Sequence, residues 1–346
     1  MPISIVVGGQ YGSEGKGKVA HFIARTRGAT AAVRVGGPNS GHTIYDTYGH
    51  SLILQQLPTA AILPDVVCVL GAGTYIDVAR LKFEMELTGV SKERLKVDPQ
   101  AVVIRESHRT SERSGELRAL IGSTETGTGA AVIERISRNS GVQFAENDTF
   151  LAQYIDDTKS YLRGQLECNA RLVIEGTQGF GLSVLHGLHY PYATSRDTTA
   201  AGFLSEVGLS PLDVDDVSMV IRSFPIRVGG NSGPLDKECT WADVTKEAQS
   251  QERIIEYTSV TKSVRRVGWF SPEVVRKAIQ ANRPTSIFLN HVDYFDLRCK
   301  TTGMVTERAI AKVSEIECMI GSKITHLGIN ETAILPVGQS PFRAAA

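Results

Sequence analysis

Gly8-Gly9-Gln10-Tyr11-Gly12-Ser13-Glu14-Gly15-Lys16-Gly17-Lys18 is the stretch whose reading decides the fold. The residues before it, Ile3–Val7, are an apolar run rich in β-branched side chains and read as a strand buried on both faces. Those after it, Val19–Arg25, read as a helix. A glycine loop between a strand and a helix presents successive N–H groups as an anion cradle, and lysine adds a compact charge for phosphates. The spacing is not that of an ordinary ATPase loop. Five residues, not four, separate Gly9 from Gly15-Lys16, and Gly17 stands where a Ser or Thr would hold Mg²⁺.

Outward from the loop, apolar β-branched runs at Ala31–Val35, Val66–Leu70, Ala101–Ile104, Leu172–Ile174, Val217–Ile221 and Ser286–Leu289 read as further strands. Helical patterns fall at Ile76–Glu86, Thr149–Leu162 and Pro272–Ala281. Strand–helix alternation predicts an α/β fold with a mostly parallel central sheet flanked by helices. No linker or repeat divides the 346 residues, so residues 1–346 read as a single domain with excursions near 105–150 and 225–270. The 33 glycines cluster after the predicted strands, at Gly36-Gly37, Gly71, Gly176 and Gly229-Gly230 among others. That is where open parallel sheets bind ligands. Lys plus Arg and Asp plus Glu are both 37, a balance that argues against a partner in nucleic acid or anionic membrane. The N-terminus lacks the basic and apolar regions of a signal peptide, and five scattered cysteines read as reduced thiols. A cytoplasmic protein is expected, in the host cytoplasm if phage-encoded.

Several segments together resemble the adenylosuccinate synthetase family. Gly12–Lys18 is similar to its G-D-E-G-K-G-K loop, and Gly36-Gly37-Pro38-Asn39-Ser40-Gly41-His42-Thr43 to its G-G-x-N-A-G-H-T. Ile121–Thr124, Glu175–Gly179, Tyr190–Ser195, Arg227–Gly230 and Arg265–Trp269 follow in family order over essentially the whole chain. The resemblance implies a phosphate-loop ligase fold, a carbon–nitrogen ligase activity and a Mg²⁺ cofactor. Such an enzyme phosphorylates O6 of a purine monophosphate and lets the amine of L-aspartate displace the phosphate. It implies triphosphate binding by Gly12, Ser13, Glu14, Gly15, Lys16, Gly17, Lys18, Gly41, His42, Thr43, Arg265, Asn290, His291, Asp293 and Gly328. The purine monophosphate falls to Ser13, Asn39, Ser40, Thr124, Arg138, Gln178, Thr194 and Ser263, with Arg138 acting across a homodimer. Aspartate falls to Ser259, Val260, Thr261, Lys262 and Arg265, the metal to Ser13 and the Gly41 carbonyl, and the catalytic roles to Ser13, His42 and Gln178. Taken alone, His42 would read as a satisfied histidine in a glycine loop, and Arg138 as a surface arginine.

Three departures bear on substrate. Ser13 stands where the family has an aspartate that takes the N1 proton and ligates Mg²⁺; a serine hydroxyl has no useful basicity at neutral pH. The shorter side chain makes room for a 2-amino group, as in the family's phage branch that condenses dGMP with aspartate toward 2-aminoadenine DNA. The base then passes to Glu14, a bound water or the γ-phosphate. Ser263 replaces an arginine near the ribose, leaving Lys262 as a substitute cation. His291 replaces the lysine beside the triphosphate's base while Asp293 is kept, so ATP or dATP is expected in place of GTP. Three readings follow: a ligase on dGMP, the same chemistry on IMP with GTP, and a silent nucleotide-binding regulator.

Overall fold

The structure, a computed structural model, describes residues 2–258 and 262–338. Its centre is a nine-stranded sheet of β1 (Ile3–Gly8), β2 (Ala29–Arg34), β3 (Val67–Leu70), β4 (Leu95–Val97), β5 (Arg171–Glu175), β6 (Val214–Arg222), β7 (Ser286–Asn290), β8 (His326–Gly328) and β9 (Ile334–Pro336). The spatial order is β9-β8-β7-β6-β1-β5-β2-β3-β4, with only the β8–β9 pair antiparallel. After β1 the chain moves to one side of the sheet, and after β5 to the other. Such a reversal opens a crevice at the strands' carboxyl ends.

Alternate residues along each strand face opposite layers. Val6, Ala32, Val173, Val220 and Phe288 meet Val19, Ala20, Ile23 and Ala24 of helix α1 (Lys16–Arg27). Ile5, Val7, Val33, Ile174, Met219 and Ile221 pack on the other face with Leu162, Phe203, Val275 and Val313, from four further helices. The glycine loop is thereby fixed at both ends, by a central strand and by a helix buried on one side. Among the described residues no helix is long and apolar enough to cross a membrane.

Three expected elements differ. Of Ala101–Ile104, only Val102–Val103 is strand, and it pairs with Tyr75–Ile76 in a side ribbon outside the central sheet. Ile76 is therefore strand, and the expected Ile76–Glu86 helix runs over Val78–Thr88, with Asp77 accepting from the Arg80 N–H at 3.1 Å. The expected Thr149–Leu162 helix is broken. A short 3-10 turn, Leu151–Tyr154, is followed by a bridge from Ile155 to Val97, and a new helix, Thr158–Glu167, starts at Asp157, which accepts from Ser160 N–H at 3.1 Å. The apolar spacing is continuous there, but an aspartate cap restarts the helix. The short β4, β8 and β9 carry too few residues to show a period.

The loop after β5 lies directly on the glycine loop. A Cβ at Gly179 would fall 2.4 Å from Glu14 Oε1 and 2.5 Å from Gly12 N. Gly179→Ala is expected to cost about 1–3 kcal/mol through overpacking. Urea unfolding checks it, and an unchanged midpoint would mean that the two loops separate freely.

Candidate active site

The glycine loop is held by its own acid. Glu14 is fully buried, and its Oε1 accepts from the N–H groups of Gln10 (3.1 Å) and Gly12 (2.8 Å). Its Oε2 accepts from Lys16 Nζ at 2.6 Å. Ser13, at φ 56, is thrown outward and exposed. From outside, Arg222 donates to the Ser13 carbonyl at 3.0 Å and Asn290 Nδ2 to the Glu14 carbonyl at 2.7 Å. Gly15 has φ 88 and no side chain caps α1, so the first N–H groups of the helix are open to an anion. Both oxygens of the buried Glu14, one of the candidate bases left open by the sequence, are engaged within the loop itself.

The position of Gly17 explains the missing Ser or Thr of an ATPase loop. A Cβ there would lie 2.7 Å from His42 Cβ and 2.8 Å from Thr59 Cγ2. The space is filled by a polar centre instead. Glu175, at the carboxyl end of β5, bonds His42 Nδ1, Arg34 Nη1 (2.9 Å), and both the N–H and the hydroxyl of Thr59 (2.7 Å each). Burial, and next the Arg34 charge, hold the His42 imidazole down at about 3. Burial opposes the ionised form of Glu175, but the His42 bond and the Arg34 charge outweigh it and hold the carboxyl at about 2. At neutral pH the pair is a neutral imidazole beside a carboxylate, with the Nδ1 proton directed at Glu175 and Nε2 the remaining acceptor.

The expected monophosphate residues sit on loops that touch one another. Ser40 Oγ lies 2.6 Å from Thr177 Oγ1, and Arg34 Nη2 donates to the Ser40 carbonyl at 3.1 Å. Cβ atoms at Gly37 and Gly129 would meet Thr128 and Ser195. Asn39, Ser40 and the loops carrying Gln178 and Thr194 therefore gather around the start of helix α3 (Thr128–Ile136), which the Thr124 segment leads into. Helix α2 (Glu106–Ser114) supplies Glu112, whose carboxylate accepts from the N–H groups of Gly127 and Gly129 (2.7 Å each) and Ala130 (3.2 Å). Gln178 stands at φ 58 beside Glu14's loop. Arg138 does not join this group. It is exposed beyond the far end of α3, roughly 15 Å along the helix from Gly127.

Several of the residues expected for the triphosphate lie together near Lys18. Gly328 allows close approach, since a Cβ there would overlap Asn290 Oδ1 and lie 2.5 Å from Lys18 Nζ. Burial pushes Asp293 up to about 7 and Lys18 down to about 8. His291, at φ 60, has its ring 4.9 Å from that of Tyr294. Thr43 is exposed on a hairpin strand that begins at His42. Ser263 is bonded to Thr258 through backbone and hydroxyl groups, and Lys262 is exposed. Ser259, Val260 and Thr261 lie outside the described residues. Sequence reading missed Arg34, Arg222 and Glu256, and read Glu175 only as part of a motif. Their one signal is a charged residue beside a β-branched run, which also marks any strand end.

The profile of the adenylosuccinate synthetase family matches residues 5–149 and 141–300. The adenylosuccinate synthetase of Methanocaldococcus jannaschii is 36% identical over 329 residues, 93% of this chain and 92% of that protein. That of a Pyrococcus species is 36% identical over 300 residues, 86% and 85% of the two chains. The solved structure of cyanophage S-2L succinoaminodeoxyadenylate synthetase, bound to dGMP and to dATP as energy donor, superposes with a TM-score of 0.82 at 30% identity, over 97% of this chain and 95% of that one. A fully ligated adenylosuccinate synthetase from Plasmodium falciparum gives the same TM-score at 21% identity, over 97% and 100%, a likeness of fold. The chain belongs to the adenylosuccinate synthetase family. It is a carbon–nitrogen ligase of the kind that uses a nucleoside triphosphate and aspartate.

The buried pair predicts acid lability. Unfolded, His42 titrates near 6.5, so between there and about 3 the unfolded chain holds a proton that the native chain does not. Glu175 adds the same sign at lower pH, between its ordinary carboxylate range and about 2. The pair's contribution to stability is fully present above about pH 6.5 and falls as the pH drops toward 3, while Asp293, raised by burial to about 7, acts with the opposite sign. His42→Asn is expected to flatten the upper part of that fall. Urea midpoints at about pH 7.5, 6 and 4.5 check it; equal slopes in the two proteins would show that His42 is not the titrating group.

Proposed function

We propose that this chain condenses dGMP with L-aspartate at purine C6, driven by ATP or dATP, to give N6-succino-2-amino-2'-deoxyadenylate. Ser13 carries the reading. It is an exposed hydroxyl at the tip of the phosphate loop, at the position where the family's aspartate faces purine N1. A carboxylate there meets the 2-amino group of guanine, whereas a serine leaves room for that group and accepts its hydrogen bond. Support also comes from the cyanophage structure, which is 30% identical and holds dGMP and dATP. The second reading, IMP with GTP, draws on the archaeal relatives, which are adenylosuccinate synthetases at 36% identity.

The residues divide the work as follows. The open N-terminus of α1 and Lys16 take the triphosphate. Gln178 donates to O6, and Asn39, Thr124 and Thr194 hold the monophosphate. Burial, and then the Arg34 and Lys16 charges, keep His42 neutral in the empty site; phosphate charge beside Lys16 offsets those cations, Glu175 favours an imidazolium protonated at Nε2 from solvent, and His42 gives that proton to O6 as charge develops. With Glu14 engaged, the N1 proton leaves through a bound water or a γ-phosphate oxygen. Aspartate meets Arg265, with Lys262 nearby in sequence. Among the described residues no three His, Cys, Asp or Glu side chains gather as a metal site. The Ser13 hydroxyl and the Gly41 carbonyl are hard oxygens that fit a Mg²⁺ carried in on phosphate, which commonly keeps only one or two protein ligands. Held by those two groups, a Mg²⁺ would supply neutralisation of the phosphate charge.

A homodimer completes the reading. Arg138 is remote from its own chain's monophosphate loops, and Ile133 and Ile136 beside it on α3 are 69% and 71% exposed. A second copy covering them brings Arg138 to the partner's nucleotide.

Ser13→Asp is expected to lower turnover of dGMP and raise that of IMP, measured as phosphate release with each nucleotide and aspartate. Improved dGMP turnover would overturn the steric argument. His42→Asn is expected to lower kcat by about 10²–10⁴, and near-normal single-turnover rates would remove it from the chemistry.

A further inference from the structure

Glu256 has no part in the chemistry above, yet it sits between three parts of the site. Its carboxylate bonds Arg222 through both oxygens, one of the contacts at 3.3 Å, and accepts from Tyr294 Oη at 2.9 Å. Arg265 Nη1 reaches the same carboxylate at 3.3 Å. Arg222 is completely buried, and the Nη1 that touches Glu256 also donates to the Ser13 carbonyl. The Arg265 N–H donates to the Glu256 carbonyl at 2.9 Å, so the two residues are also joined through backbone.

The bonding is unequal. Arg222 makes the close pair with Glu256, while Arg265 is held by one long contact; each arginine keeps a buried Nε with no partner among the described residues. Arg265 is thus aimed without being consumed, and a donor remains for an incoming carboxylate. Any shift of the Ser13 carbonyl when the phosphate loop fills is felt by Arg222, and through the shared carboxylate by Arg265. Packed polar groups that share one anion transmit such shifts because each has few alternative partners.

We propose that Glu256 is a positioning residue that couples occupancy of the phosphate loop to aspartate binding, by sharing one carboxylate between Arg222 and Arg265. The aspartate subsite then reaches its working geometry only when the triphosphate is bound, which limits futile capture of aspartate. The inference rests on the proposed function for the identity of the dicarboxylate. It does not depend on which purine monophosphate is used.

The test is the KM for aspartate at low and at saturating triphosphate, with dGMP and, separately, with IMP. In the wild type the KM is expected to fall about fivefold or more as triphosphate saturates, the lower range of ordinary coupling. In Glu256→Gln this ratio is expected to collapse toward one while kcat at saturating substrates stays within about threefold. Tyr294→Phe removes one bond to Glu256 and leaves both arginines, and is expected to give an intermediate ratio. It decides the matter if Glu256→Gln does not fold. A wild-type ratio of one, or variants that keep the wild-type ratio while losing kcat, overturns the inference. Turnover of IMP but not dGMP overturns the proposed substrate and leaves the coupling measurable.

Discussion

A loop that must receive several phosphate charges is built around a buried carboxylate of its own. Glu14 folds back on the N–H groups of Gln10 and Gly12 and pairs with Lys16. The cost of burying that charge is offset by two backbone donors and one cation, the condition under which a buried ion is tolerated. The arrangement also dictates its surroundings. A side chain at Gly8 or Gly179 would strike the Glu14 oxygens, so the end of the central strand and the loop after β5 must both be bare. Ser13 is turned outward as a direct result, because the residues on either side of it are drawn in.

The carboxyl ends of the central strands repeat the theme. Arg34, Glu175, Arg222 and Asn290 each end a strand and are at most 1% exposed. Neighbouring strands place them in register, Arg34 against Glu175 and Arg222 against Asn290. The parallel sheet thus fixes a row of polar groups beneath the crevice with the precision of its own hydrogen bonds. Removing one member strands a buried partner, which is dearer than losing an exposed ion pair.

The fold was legible because its strands bear β-branched residues on consecutive positions and its glycines fall just after them. The phosphate loop was legible for the same reason. What escaped was set by contacts between distant segments. Gly17 reads as an irregular phosphate loop until His42 is seen packed against it. Glu14 reads as a free carboxylate next to substrate, and only its direction shows otherwise. Glu256 lies in a stretch with no periodicity, and its partners Arg222 and Tyr294 are 34 and 38 residues away along the chain. The broken helix at residues 149–162 failed for a local reason, since Asp157 competes with the apolar period as a cap.

Among the described residues two α-helices begin after glycine, α1 after Gly15 and α3 after Gly127. In composition the two starts look alike. Their electrostatics are opposite. The first is open, whereas the second already holds the Glu112 carboxylate on three N–H groups. A helix start already bonded to a carboxylate has few N–H groups left for another anion. Two glycine-led helix starts at one crevice are therefore unequal neighbours for a phosphate: one offers its N–H groups, and the other has already spent them on a carboxylate of the chain.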